Sequence, residues 1–126
     1  MLHHVSFGVS DLARSAAFYD ATLSALGYVR AWTSATAIGY ASTGSDDKFA
    51  IKLQPSGVVP PGPGFHLALS APSREAVERF HGAALRSGGK DNGPPGLRPA
   101  YGEHYFAAFV LDPDGYRIEA VINAAA

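Results

Sequence analysis

The chain reads as a single α+β domain built from two βαβββ modules, and three observations lead there. A shift of 62 residues superimposes two segments without a gap, a pattern of strand, cap, helix and glycine recurs in both, and the second segment ends in a clear hairpin. On the shift, His4 falls on His66, Phe18 on Phe80, Ala21 on Ala83, Leu23 on Leu85 and Gly27 on Gly89.

In the first copy Val5, Phe7 and Val9 alternate with His4, Ser6 and Gly8, the period of a strand with one core face. Asp11 can cap a helix whose apolar positions Leu12, Ala16, Tyr19, Leu23 and Leu26 follow the 3.6-residue period, and Gly27 ends it. Tyr28–Trp32, Thr36–Ala41 and Lys48–Gln54 read as strands, with turn residues around Thr43-Gly44-Ser45-Asp46. Pro55–Gly64 holds seven Pro or Gly in ten residues and reads as a linker. The modules are then residues 1–56 and 65–122, joined by the linker at 55–64 within a single domain of residues 1–126.

In the second copy Phe65, Leu67 and Leu69 oppose His66, Ala68 and Ser70, Ser73 takes the place of Asp11, and Val77, Phe80 and Ala84 form the helical stripe before Gly88-Gly89. Residues 88–99 are so rich in Gly and Pro that a loop with at most a short strand is expected. Tyr105–Leu111 and Tyr116–Ile122 flank Asp112-Pro113-Asp114-Gly115, which suits a type I turn.

Composition narrows the chemistry. The chain has 126 residues, 47% of them hydrophobic, and no apolar run reaches the roughly 18 to 20 residues of a membrane span. Ten Lys and Arg against eleven Asp and Glu, without a basic block, argue against nucleic acid as a partner. No cysteine is present, which excludes disulfides, iron–sulfur clusters and thiolate metal sites. The N-terminus shows no positive segment followed by an apolar stretch, so a cytoplasmic location is expected.

What remains is histidine and carboxylate chemistry. On the last strand Tyr116, Ile118, Ala120 and Ile122 share one face, and Arg117, Glu119 and Val121 the other. A carboxylate in the middle of an apolar strand needs a partner. With His4 and His66 on the inner faces of equivalent strands, Glu119 makes a set of two histidines and one carboxylate, which suits a divalent Fe, Mn, Co, Ni or Zn ion and leaves positions open for substrate or water. Tyr101, His104 and Tyr105 precede the hairpin strand and are candidate proton carriers. Arg98 and Trp32 are candidates for an anion contact and a stacking surface.

The stretch from His4 through Asp11-Leu12-Ala13-Arg14-Ser15 to Phe18-Tyr19, then Phe65-His66-Leu67, and Leu111-Asp112-Pro113-Asp114-Gly115 leading to Ile118-Glu119, resembles the vicinal oxygen chelate superfamily. That superfamily includes glyoxalase I, fosfomycin- and bleomycin-resistance proteins and extradiol dioxygenases. The resemblance implies an open, cupped eight-stranded sheet around a metal, commonly within a homodimer, with the ligand positions at His4, His66 and Glu119. Ile118-Glu119-Ala120 is matched with Ile51-Lys52-Leu53, so Lys52 is expected at the fourth ligand position. An ammonium cannot ligate a cation, which favours relatives with three ligands over glyoxalase I and leaves Lys52 as a contact for an anionic substrate oxygen. The expected function is metal-dependent dioxygenase, lyase or transferase chemistry on vicinal oxygens of a small molecule. The alternatives are a metal-independent sequestering protein and, opposed by the two helical stripes, a cupin-like barrel.

Overall fold

The computed structural model describes residues 1–126. The chain runs β1 (Val5–Val9), α1 (Leu12–Ala25), β2 (Tyr28–Thr33), β3 (Ala37–Ser42), β4 (Phe49–Leu53), β5 (Leu67–Ser70), α2 (Arg74–Arg86), β6 (Lys90–Leu97), β7 (Tyr105–Leu111) and β8 (Arg117–Asn123). These are the two βαβββ modules expected, and their sheets have matching orders, β1-β4-β3-β2 and β5-β8-β7-β6. In each, the first strand pairs in parallel with the last and the other neighbours are antiparallel. The eight strands thus form two open four-stranded sheets. No helix is long and apolar enough to cross a membrane.

Both helices start where the sequence places a cap. The Asp11 carboxylate accepts from the Arg14 amide and the Ser73 hydroxyl from the Ala76 amide, each at 3.0 Å, satisfying an amide that the first turn leaves free. Both ends pass into a glycine at positive φ, Gly27 at 91° and Gly88 at 96°. On α1 the stripe Ala16, Tyr19, Leu23 is buried, but so is Phe18, because α1 also packs on α2. Phe18 reaches the second module's Gly89, where an added Cβ would come within 2.6 Å of its ring.

The β7–β8 turn joins the modules. Asp112 Oδ1 accepts from the amides of Asp114 and Tyr116, both at 2.9 Å, which closes the turn expected from Asp112-Pro113-Asp114-Gly115. From there Tyr116 stacks on Phe7 with centroids 4.1 Å apart and donates its hydroxyl to the Gly8 carbonyl at 2.7 Å. Asp114 accepts from the Ser10 hydroxyl and, at 3.0 Å, from Arg14. One core therefore runs through both modules, from Phe7, Tyr19 and Phe49 to Phe80, Val110 and Ile118.

The structure corrects one expectation. Residues 90–97, within the stretch expected to be mostly loop, form the full edge strand β6. Pro94 and Pro95 have no amide to donate, and the pairing with β7 slips between Asp91 and Gly93 and again between Gly93 and Gly96. An edge strand tolerates this because one of its sides needs no partner.

Candidate functional site

Strand register builds the site on the second sheet. Parallel pairing sets Ala68 opposite Glu119, and antiparallel pairing sets Phe109 opposite Glu119. Glu119 and Phe109 thus share a face with Tyr105, two strand steps along β7, and the residue between them is the small, fully buried Ala107. That arrangement leaves an open cup of ≈ 490 Å³ lined by His66, Ala100, Tyr101, Tyr105, Phe109 and Glu119.

At its base the Glu119 side chain is 1% exposed and that of His66 is 49% exposed. A carboxylate so buried must have its charge met, and both of its oxygens are engaged. His66 Nε2 lies 2.8 Å from Oε1, and the Tyr105 hydroxyl donates to Oε2. Burial, the bond to Glu119 and the carboxylate's charge together push the Tyr105 phenol up to about 12, so it remains a donor at neutral pH. Tyr101, well exposed, meets Tyr105 edge-on at 5.3 Å between centroids.

The remaining candidates lie elsewhere. His4 precedes β1 just as His66 precedes β5, and the pairing of Val5 with Phe49 and Leu67 with Ile118 makes the two positions equivalent. His4 nonetheless stands away from His66 and Glu119: no three His, Asp or Glu side chains of the chain converge as a metal group. His3 and His4 both precede β1, and their Nδ1 atoms are 2.8 Å apart. His104 lies 3.8 Å from Glu103 and outside the cup lining.

Lys52 is exposed and pairs with Gly8. Register corrects its match with Glu119. Val5 and Leu67 are equivalent, Val5 pairs with Phe49 and Leu67 with Ile118, so the counterpart of Glu119 is Ala50. The 62-residue shift holds through the helix and fails beyond it, because the second module carries a longer path to its last strand. A fourth ligand is still missing, since an alanine methyl donates nothing. Phe109 went unnoticed in the sequence. Counting back from a four-residue Asp112–Gly115 turn would set Ala108 opposite Glu119; the bond from the Asp112 amide to the Tyr116 carbonyl shifts the register by one and brings Phe109 there.

A smaller cavity of ≈ 110 Å³ near the β1 and β5 edges is lined by Val5, Leu23, Phe49, Leu67 and other apolar groups, with Lys48 the single charge. It holds no acid–base pair.

A family model described as the Glyoxalase/Bleomycin resistance protein/Dioxygenase superfamily matches residues 1–120. Among solved structures, the chain is similar to a glyoxalase/bleomycin resistance protein from Albidiferax ferrireducens, at 36% identity and a TM-score of 0.81, covering 94% of this chain and 95% of that one. A glyoxalase-related enzyme from Fulvimarina pelagi is 23% identical with a TM-score of 0.75, covering 98% and 88% of the two chains. The fosfomycin resistance protein FosX from Mesorhizobium loti shares the fold at 17% identity and a TM-score of 0.71, covering 98% and 92%. No curated protein matches the chain.

Proposed function

The chain belongs to the glyoxalase/bleomycin resistance protein/dioxygenase superfamily, and from that premise we propose that it is a metal-dependent enzyme acting on neighbouring oxygens of a small organic substrate. The observation that carries this reading is the buried Glu119 carboxylate facing His66 Nε2 at 2.8 Å in an open cup. An imidazole nitrogen and a carboxylate oxygen side by side are the right donors for a divalent Fe, Mn, Co, Ni or Zn ion. His4 would be the third ligand, supplied by a second copy in a homodimer, because one chain does not bring it to the other two.

A bound cation would supply Lewis acidity toward the substrate oxygens. The chain's own groups then have distinct tasks. Tyr105, a phenol that keeps its proton, donates it to Glu119 in a hydrogen bond and so holds that carboxylate in place. Tyr101 and Phe109 offer apolar surface to the rest of the substrate. Lys52 and His104 could act only across the dimer, since neither lines the cup of its own chain. The chemistry compatible with these groups is ring oxygenation, proton transfer beside a carbonyl, or addition of a nucleophile.

The test is metal analysis of protein purified without chelator. Stoichiometric metal in the wild type and its loss in His66→Ala is the expected result. No metal in the wild type, or equal metal in both, overturns the reading. Metal-free sequestration of a ligand is the second reading, favoured by the absence of a complete three-residue ligand group within one chain.

A further inference from the structure

Arg98 lies outside the cup lining itself but stands over Phe109, a residue of its wall, with its charge unmatched. Of the seven arginines two are ion-paired, Arg14 with Asp114 at 3.0 Å and Arg30 with Asp20 at 2.8 Å, while Arg74, Arg79, Arg86 and Arg117 share with Arg98 the lack of such a pair. Arg98 meets no carboxylate; its guanidinium lies 5.4 Å over the Phe109 ring, and its donors go to the carbonyls of Pro94 at 2.6 Å and Leu97 at 3.4 Å.

The surrounding sequence makes room for this placement. A Cβ on Gly96 would come within 3.1 Å of one guanidinium nitrogen, and a Cβ on Gly93 within 3.4 Å of another and 3.0 Å of Phe109. The Arg98 amide donates to the Tyr105 carbonyl at 2.8 Å, so its backbone is tied to the strand that carries Tyr105 and Phe109. Ordering a long side chain loses rotamer entropy, and here the two carbonyls and the ring face offset that loss without neutralising the charge. Two of the five guanidinium N–H groups are satisfied by those carbonyls, and the others have no protein partner. A planar fork with free donors suits a carboxylate or phosphonate.

We propose that Arg98 determines substrate specificity by binding the oxyanion of a small organic acid whose flat apolar body rests on Phe109 and Tyr101. As a statement about substrate, this rests on the metal-site reading of the same cup. The anion contact itself needs no metal, which allows the two to be tested apart.

The experiment is an NMR titration of the metal-free protein with benzoate, phenylphosphonate and neutral benzamide, following the Arg98 Nε–H and the Phe109 and Tyr101 ring signals. At least one of the anions should bind about 10-fold or more tightly than benzamide, as a charge-assisted contact requires. Arg98→Gln should erase that preference, and Arg98→Lys, which keeps the charge without the fork, should retain part of it. No preference for either anion in the wild type, or a preference that survives Arg98→Gln, overturns the proposal. Metal content measured before the metal is stripped bears only on the metal site, so loss of one reading leaves the other legible.

Discussion

The Tyr19 hydroxyl on α1 donates to Asp112 Oδ2 at the β7–β8 turn across 2.6 Å, a buried bond between the two modules. The same carboxylate takes two turn amides on its other oxygen, so one side chain shapes the hairpin leading to Glu119 and anchors it to the other module's helix. Tyr19→Phe leaves that buried oxygen without its donor. The expected loss is about 1–3 kcal/mol of unfolding free energy, read from urea denaturation. An unchanged midpoint would show that the bond contributes nothing net.

Asp112 also sets a pH dependence. Burial raises its carboxyl above the ordinary range, outweighing the hydrogen bonds from Tyr19 and from the amides of Tyr116 and Asp114, which act downward. A carboxyl raised in the folded state adds stability that is fully present below the unfolded value of about 3.9 and is lost as pH rises through the folded one. Asp112→Asn cannot ionise and keeps an acceptor for the turn amides. Its stability relative to wild type should therefore increase as pH rises through that window and level off above it. Unfolding free energies of both proteins at pH steps from about 3 to 8 measure this, and a pH-independent difference contradicts it.

Much of this fold was legible because its signals are local. Asp11 and Ser73 cap, Gly27 and Gly88 stop, and Asp112–Gly115 turns, each through contacts within a few residues. Edge strand β6 was not, because Pro94 and Pro95 are breakers by local rule and acceptable only where a strand has an unpaired side, a property of topology. The site divides in the same way. His66 beside Glu119 follows from alternation and the need of a buried charge for a partner, whereas Ala50 as the counterpart of Glu119 depends on inter-strand register, which the repeat shift alone misplaces.

That register exposes a reciprocal exchange between the sheets. In the first, Trp32 pairs with Gly39 and covers it; at the corresponding pair in the second, Gly93 faces Phe109 and is covered by it. A Cβ at Gly39 would stand 2.2 Å from the Trp32 indole nitrogen, which must then move. Gly39→Ala should destabilise the protein by about 1–3 kcal/mol and shift the emission of Trp32, the single tryptophan, toward the red as the ring is displaced into water. Unaltered emission and stability would mean that the ring does not rest on this glycine.

The proposed metal site shared across a dimer makes a prediction that a single-chain site does not share. His4→Ala and Glu119→Ala should each lose stoichiometric metal, since each removes a ligand from every site. If His4 of one copy serves the His66 and Glu119 of the other, a mixed dimer of the two variants contains one site with both lesions and one with none. Refolding an equal mixture gives about half mixed dimers, so metal should return to about a quarter of the wild-type content. A site closed within one chain keeps a lesion in every copy and recovers nothing on mixing. Metal content after co-refolding, with subunit exchange verified by mass, separates the two outcomes, and failure to recover any metal would return the third ligand to the chain that carries the other two.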